Sequence, residues 1–123
     1  MQPAIIRSKS LTEALTSEHC YIYENCVVTT GDHDVSVARA RVKPGVATKA
    51  HHLEGTKEIY LIAKGEGRVC VGNMQPCEVR EGDVVIIPAG TSQKIVNTGK
   101  TDLIFYCICT PSFSQDRYRD EET

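Results

Sequence analysis

Two histidines and a glutamate are the residues of this chain best suited to chemistry. They share one stretch: Gly45, five residues, His51-His52-Leu53, four residues, Glu58, six residues, Gly65. An imidazole and a carboxylate a few residues apart are donor types that hold a divalent cation. Pro44-Gly45 interrupts any regular strand just before His51. From Glu58 the run Glu-Ile-Tyr-Leu-Ile-Ala has strand propensity and length, and it stops at Lys64-Gly65-Glu66-Gly67. Side chains alternate along a strand, so Glu58, Tyr60 and Ile62 share a face. A carboxylate opening an apolar face is costly to bury unless a cation or hydrogen-bond donors meet it. His51 is the co-ligand this suggests. His52 points the other way unless the backbone after Gly45 is irregular.

A second stretch follows. Gly82-Asp83 opens the apolar run Val84 to Ile87, Pro88-Ala89-Gly90 ends it, and Gln93 and Asn97 come next. The two spacings together resemble the paired motifs of the cupin superfamily. The usual first motif reads Gly, five residues, His-x-His, three or four residues, Glu, six residues, Gly. Here Leu53 stands where the second His belongs. The usual second motif has His where this chain has Gln93, while Pro88, Gly90 and Asn97 match. A small-cupin subgroup reads His-x-Leu, Glu and Gln at these places, and this chain is similar to it over about residues 35 to 110.

The resemblance implies an all-β fold, the double-stranded β-helix or cupin jelly roll. It implies His51, Glu58 and Gln93 as metal ligands, with Leu53 turned inward beside His51. Imidazole, carboxylate and amide oxygen suit Fe²⁺, Mn²⁺, Ni²⁺ or Zn²⁺ better than Cu⁺. Three protein ligands leave open positions for water or a substrate. Glu58 and Tyr60 are the catalytic candidates, although a buried tyrosine is more often a core aromatic with a satisfied hydroxyl. In the alternative, Glu58 and Gln93 hydrogen-bond in a metal-free pocket, with Glu58 protonated or paired to Arg39. Two function classes remain. One is a metal-dependent enzyme on a small molecule, of isomerase, cyclase or dioxygenase type. The other is a non-catalytic module that binds a sugar or small acid, and fold alone does not choose between them.

The remaining sequence is consistent with that frame. At 123 residues the chain is expected to be one domain, 1–123, with a core over about 35–110 and a C-terminal arm over 111–123. A net charge of -2 favours neither nucleic acid nor an anionic membrane. No apolar run approaches a membrane span, and the N-terminus lacks the apolar centre of a signal peptide, so a cytoplasmic protein is expected. The six cysteines contain no Cys-x-x-Cys pair and are expected to be reduced and mostly buried. Ser10-Leu11-Thr12-Glu13 has capping-box spacing and predicts a short N-terminal helical turn. Strands are expected over Tyr21–Thr30, Val35–Lys43, Gly67–Val71, Cys77–Arg80, Val84–Ile87, Ser92–Asn97 and Leu103–Thr110, with a turn at Gly31–Asp34. Arg39 and Arg41 form a solvated face, or one of them lines the pocket against an anionic substrate. His19 and His33 are expected at the surface, and residues 112–123 as a surface arm or partly disordered tail. Apolar strand faces that need cover suggest a homodimer.

Overall fold

The computed structural model describes residues 2–28 and 34–122. The expected strand end at Thr29-Thr30, most of the turn at Gly31–Asp34, and His33 lie outside the described residues. Two antiparallel sheets face each other. The six-stranded sheet runs β1 (Ala14–Leu15), β2 (Tyr21–Val28), β3 (Val35–Val42), β10 (Leu103–Thr110), β5 (Lys57–Lys64), β8 (Val84–Ile87). The five-stranded sheet runs β11 (Tyr118–Asp120), β4 (His51–Leu53), β9 (Gln93–Asn97), β6 (Glu66–Val71), β7 (Cys77–Arg80). This is the expected double-stranded β-helix.

Alternation along each strand builds the interior. Glu58, Tyr60 and Ile62 of β5 are buried, as are Val69 and Val71 of β6 and Gln93, Ile95 and Asn97 of β9. Ile62, Ile87, Ile95, Leu103 and Phe105 are the largest apolar side chains fully inside, each contributing roughly 1.5–3 kcal/mol by leaving water. Arg39 and Arg41 lie on the opposite, outer face of β3, where Arg41 Nη2 donates to Glu13 Oε1 at 2.8 Å and stacks over Tyr21. The solvated face is therefore the outcome, and Arg39 is no partner for Glu58.

Two motif glycines have a visible reason. Gly45 holds φ +78°, which turns the chain into the site. Gly65 holds φ +87°, and a Cβ there would lie 2.8 Å from the Asp102 carbonyl oxygen. Asn97 is structural: its Nδ2 donates to the carbonyls of Val42 and Thr101, each at 2.8 Å, and its Oδ1 accepts from Gly99 N.

Three expectations need correction. The helical turn sits at Ser8–Ser10, before the place the Ser10-Leu11-Thr12-Glu13 spacing gives it, because the Glu13 carboxylate is taken by Arg41 instead of capping Ser10. Cys70 and Cys77 are exposed; all six thiols are free, but only Cys20 and Cys109 are fully buried. The C-terminal arm is ordered through residue 122, with a strand, β11, paired to β4. Among the described residues no helix is long and apolar enough to cross a membrane.

Candidate functional site

Glu58 begins the buried face of β5, and His51 opens β4 in the opposite sheet. The β4–β9 pairing sets His51 directly across from Gln93, so the two share a face. His51 is 4 % exposed and Leu53 3 %, while His52 between them turns outward to Glu121, 2.6 Å from Nδ1. Strand alternation thus brings in one histidine and leaves its neighbour outside. Between the sheets lies a cavity of about 80 Å³. Glu18, His51 and Glu58 make its polar end, and Leu53, Phe105 and Phe113 are part of its apolar wall. That is several times the roughly 10–15 Å³ one water needs on this measure, so the partly open space has room for a small molecule.

The hydrogen bonds fix the donors. His51 Nδ1 lies 2.9 Å from the Lys49 carbonyl oxygen. A carbonyl only accepts, so Nδ1 carries the proton and Nε2 is the free ring nitrogen, an arrangement that suits a ligand imidazole. The Tyr118 ring stacks on His51, centroids 4.9 Å apart. The Tyr60 hydroxyl donates to Gln93 Oε1, which commits it as an anchor for the amide. Glu58 Oε1 is buried without a hydrogen-bond partner.

Burial sets the electrostatics. It raises the Glu58 carboxyl above the ordinary glutamate range, against the opposing pull of Gln93 and His51. It raises Glu18 as well, with His51 opposing and Asp120 adding to the rise. The thiols inside stay protonated: Cys20 is pushed up to about 12 by burial, and Cys107 and Cys109 also rise. Protonated thiols are poor ligands and poor nucleophiles.

Among the described residues no three His, Cys, Asp or Glu side chains converge closely enough to hold an ion by themselves. The fit to a metal rests instead on the free His51 Nε2, the orphaned Glu58 Oε1, and Gln93 Oε1, which keeps a second lone pair beside Tyr60. As donor types these match a divalent cation.

Three pocket neighbours had no signature in the sequence. Glu18 lies in a turn before β2, its Oε2 3.8 Å from His51 Nε2. Tyr118 and Phe113 come from the arm, whose polar composition concealed two aromatic contacts with the site.

The fold and pocket define a small β-barrel protein with a partly polar interior site. The chain belongs to the cupin domain family, whose profile matches residues 38–109. It is 41 % identical over 71 residues to a protein of Thermotoga maritima named oxalate-binding protein, a match covering 58 % of each chain. An uncharacterized protein of Methanocaldococcus jannaschii is 36 % identical over 81 residues, 66 % of this chain. The matches span only 58 % and 64 % of the length of these curated relatives. A solved structure from Thermotoga maritima, described as a predicted oxalate decarboxylase, superposes with TM-score 0.73 at 28 % identity, covering 87 % of this chain and 98 % of that one.

Proposed function

We propose that this cupin holds a divalent cation at the polar end of its barrel and through it takes up a small molecule bearing a carboxylate. The observation that carries the reading is Glu58, buried with one oxygen unpartnered. No lysine or arginine is among the described residues that line the pocket. A small acid entering beside Glu18 and Glu58 would find no lysine or arginine to pair with, a role that a bound cation would fill. The protein named as oxalate-binding supports an acid as the ligand class.

His51 Nε2 and Glu58 are the proposed ligands, with Gln93 as a neutral third donor and Fe, Mn, Ni or Zn as the ion. When bound, such an ion supplies Lewis-acid polarisation of ligand oxygens. The chain does the rest. The Lys49 carbonyl and the Tyr118 ring hold the His51 imidazole in place. Tyr60 holds the Gln93 amide, and Leu53, Phe105 and Phe113 keep water from the apolar side. The enzymatic form of the reading is an isomerase-, cyclase- or dioxygenase-like activity on that small molecule. A non-catalytic binder is the second reading, favoured by the committed Tyr60 hydroxyl, which leaves Glu58 as the one proton-transfer group of the original pair.

The test is elemental analysis of the purified protein, followed by calorimetry with oxalate on metal-loaded and chelator-stripped samples. Oxalate heat only in the loaded sample is expected; equal heat in both would remove the cation from the account. We also propose a homodimer, on the apolar outer face where Leu61, Val84 and Ile86 are 39 %, 56 % and 70 % exposed. A monomer mass by light scattering at micromolar concentration would contradict it.

A further inference from the structure

Glu18 comes from outside both motifs, yet the chain takes trouble to deliver it. Thr16 Oγ1 accepts from Glu18 N at 3.2 Å and donates to the Cys20 carbonyl at 2.9 Å. The next residue, His19, holds φ +74°, a left-handed conformation uncommon outside glycine. The Lys49 amide donates to the Glu18 carbonyl at 3.2 Å, and the same Lys49 offers its carbonyl to His51 Nδ1. One backbone position therefore registers the turn and the imidazole against each other.

The side chains that result face awkwardly. His51 turns Nδ1 to the Lys49 carbonyl, which leaves Nε2 facing Glu18 Oε2 at 3.8 Å. The imidazole and the carboxyl thus face each other, inside the pocket both line, across a gap too long for a hydrogen bond. First-row divalent ions bond imidazole nitrogen and carboxylate oxygen at about 2.0–2.2 Å, so with a small side-chain adjustment one ion can bond both across the 3.8 Å gap. The second carboxylate, Glu58, is 7 % exposed and lines the same pocket with Oε1 unpartnered.

We propose that Glu18 is a direct ligand of the cation, paired with His51, so that the N-terminal turn completes a site the cupin motifs leave short. This rests on the reading that the pocket holds a divalent cation. The set becomes one imidazole and two carboxylates, with Leu53 occupying the place of a second imidazole. Glu58 must rotate to reach the ion, since the three side chains do not converge as they stand.

Calorimetric titration of the stripped protein with Mn²⁺ and Zn²⁺ tests this directly. Glu18→Gln should weaken binding at least tenfold, while Glu78→Gln, a distant exposed carboxylate with the same loss of charge, should leave it unchanged. Glu18→Asp keeps the charge and withdraws it by one methylene; it should also weaken binding, and it carries the test if Glu18→Gln does not fold. Binding within twofold of the parent in the folded Glu18 variants would overturn the role of Glu18 and leave the cation reading standing. A parent protein that binds neither ion would overturn both.

Discussion

The carboxylates inside the barrel and those on its rim are the same chemical group treated in opposite ways. On the rim three of them have a basic partner that sets their titration. Glu13 is held below its usual range by Arg41, Asp120 by Lys49, and Glu121 by His52. Inside, Glu18 and Glu58 are raised by burial, opposed by His51 at Glu18 and by Gln93 and His51 at Glu58. A buried charge left short of partners costs far more than an exposed ion pair returns. The contrast implies that the interior carboxyls are kept for something that arrives.

Wetting the interior should break the contrast most severely. Phe105 is 2 % exposed and packs against Tyr60, centroids 4.6 Å apart. Phe105→Ala should cost about 3–5 kcal/mol in chemical denaturation, and the raised carboxyls should move back toward ordinary values. Unchanged stability would mean the apolar wall does not set the interior environment.

Adding a donor should sharpen it. Leu53→His places an imidazole beside His51 and should tighten metal binding about tenfold, roughly 1.4 kcal/mol. A folded variant that binds metal no better would show that residue 53 does not face the ion.

The pH dependence should separate the two sets. A carboxyl raised in the folded state holds its proton there more tightly than in the unfolded chain. Stability of the cation-free protein therefore falls as pH rises from the unfolded value near 4.5 through the raised folded values of Glu18 and Glu58. Below 4.5 the rim acts in reverse, since the lowered Glu13 and Glu121 lose their contribution as pH falls through their folded values. Melting curves of stripped protein should thus be highest in mildly acidic buffer. A maximum at neutral pH would contradict the assignment. The smallest effect belongs to the rim: Glu121→Gln should cost less than about 1 kcal/mol, and more would mean the arm is held by that contact.

Much of this contrast was legible in the sequence because it follows from alternation. Two-residue periodicity put Glu58, Tyr60 and Ile62 on one face and set His51 inward with His52 outward. The motif spacings made the barrel readable, and Pro44-Gly45 and Pro88-Ala89-Gly90 marked where strands break. Glu18 was illegible because a single acid in a Thr-Ser-Glu-His turn has no spacing signature. Its direction depends on the left-handed His19 and on Lys49, thirty-one positions away. Tyr118 was hidden for a related reason: β11 acquires its partner, β4, only after the barrel brings the arm back. The displaced N-terminal turn shows local capping chemistry losing to a long-range pair, as Arg41 outbids Ser10 for Glu13.

The most direct test is the melting temperature of stripped protein titrated with first-row divalent ions. At about 100 times the dissociation constant, a bound ion should add roughly 2.7 kcal/mol, a shift on the order of ten degrees. His51→Ala and Glu58→Ala should each abolish the shift, and Gln93→Ala should reduce it less. A melting curve indifferent to every such ion would contradict the account and leave the interior a hydrogen-bonded pocket with its carboxyls protonated.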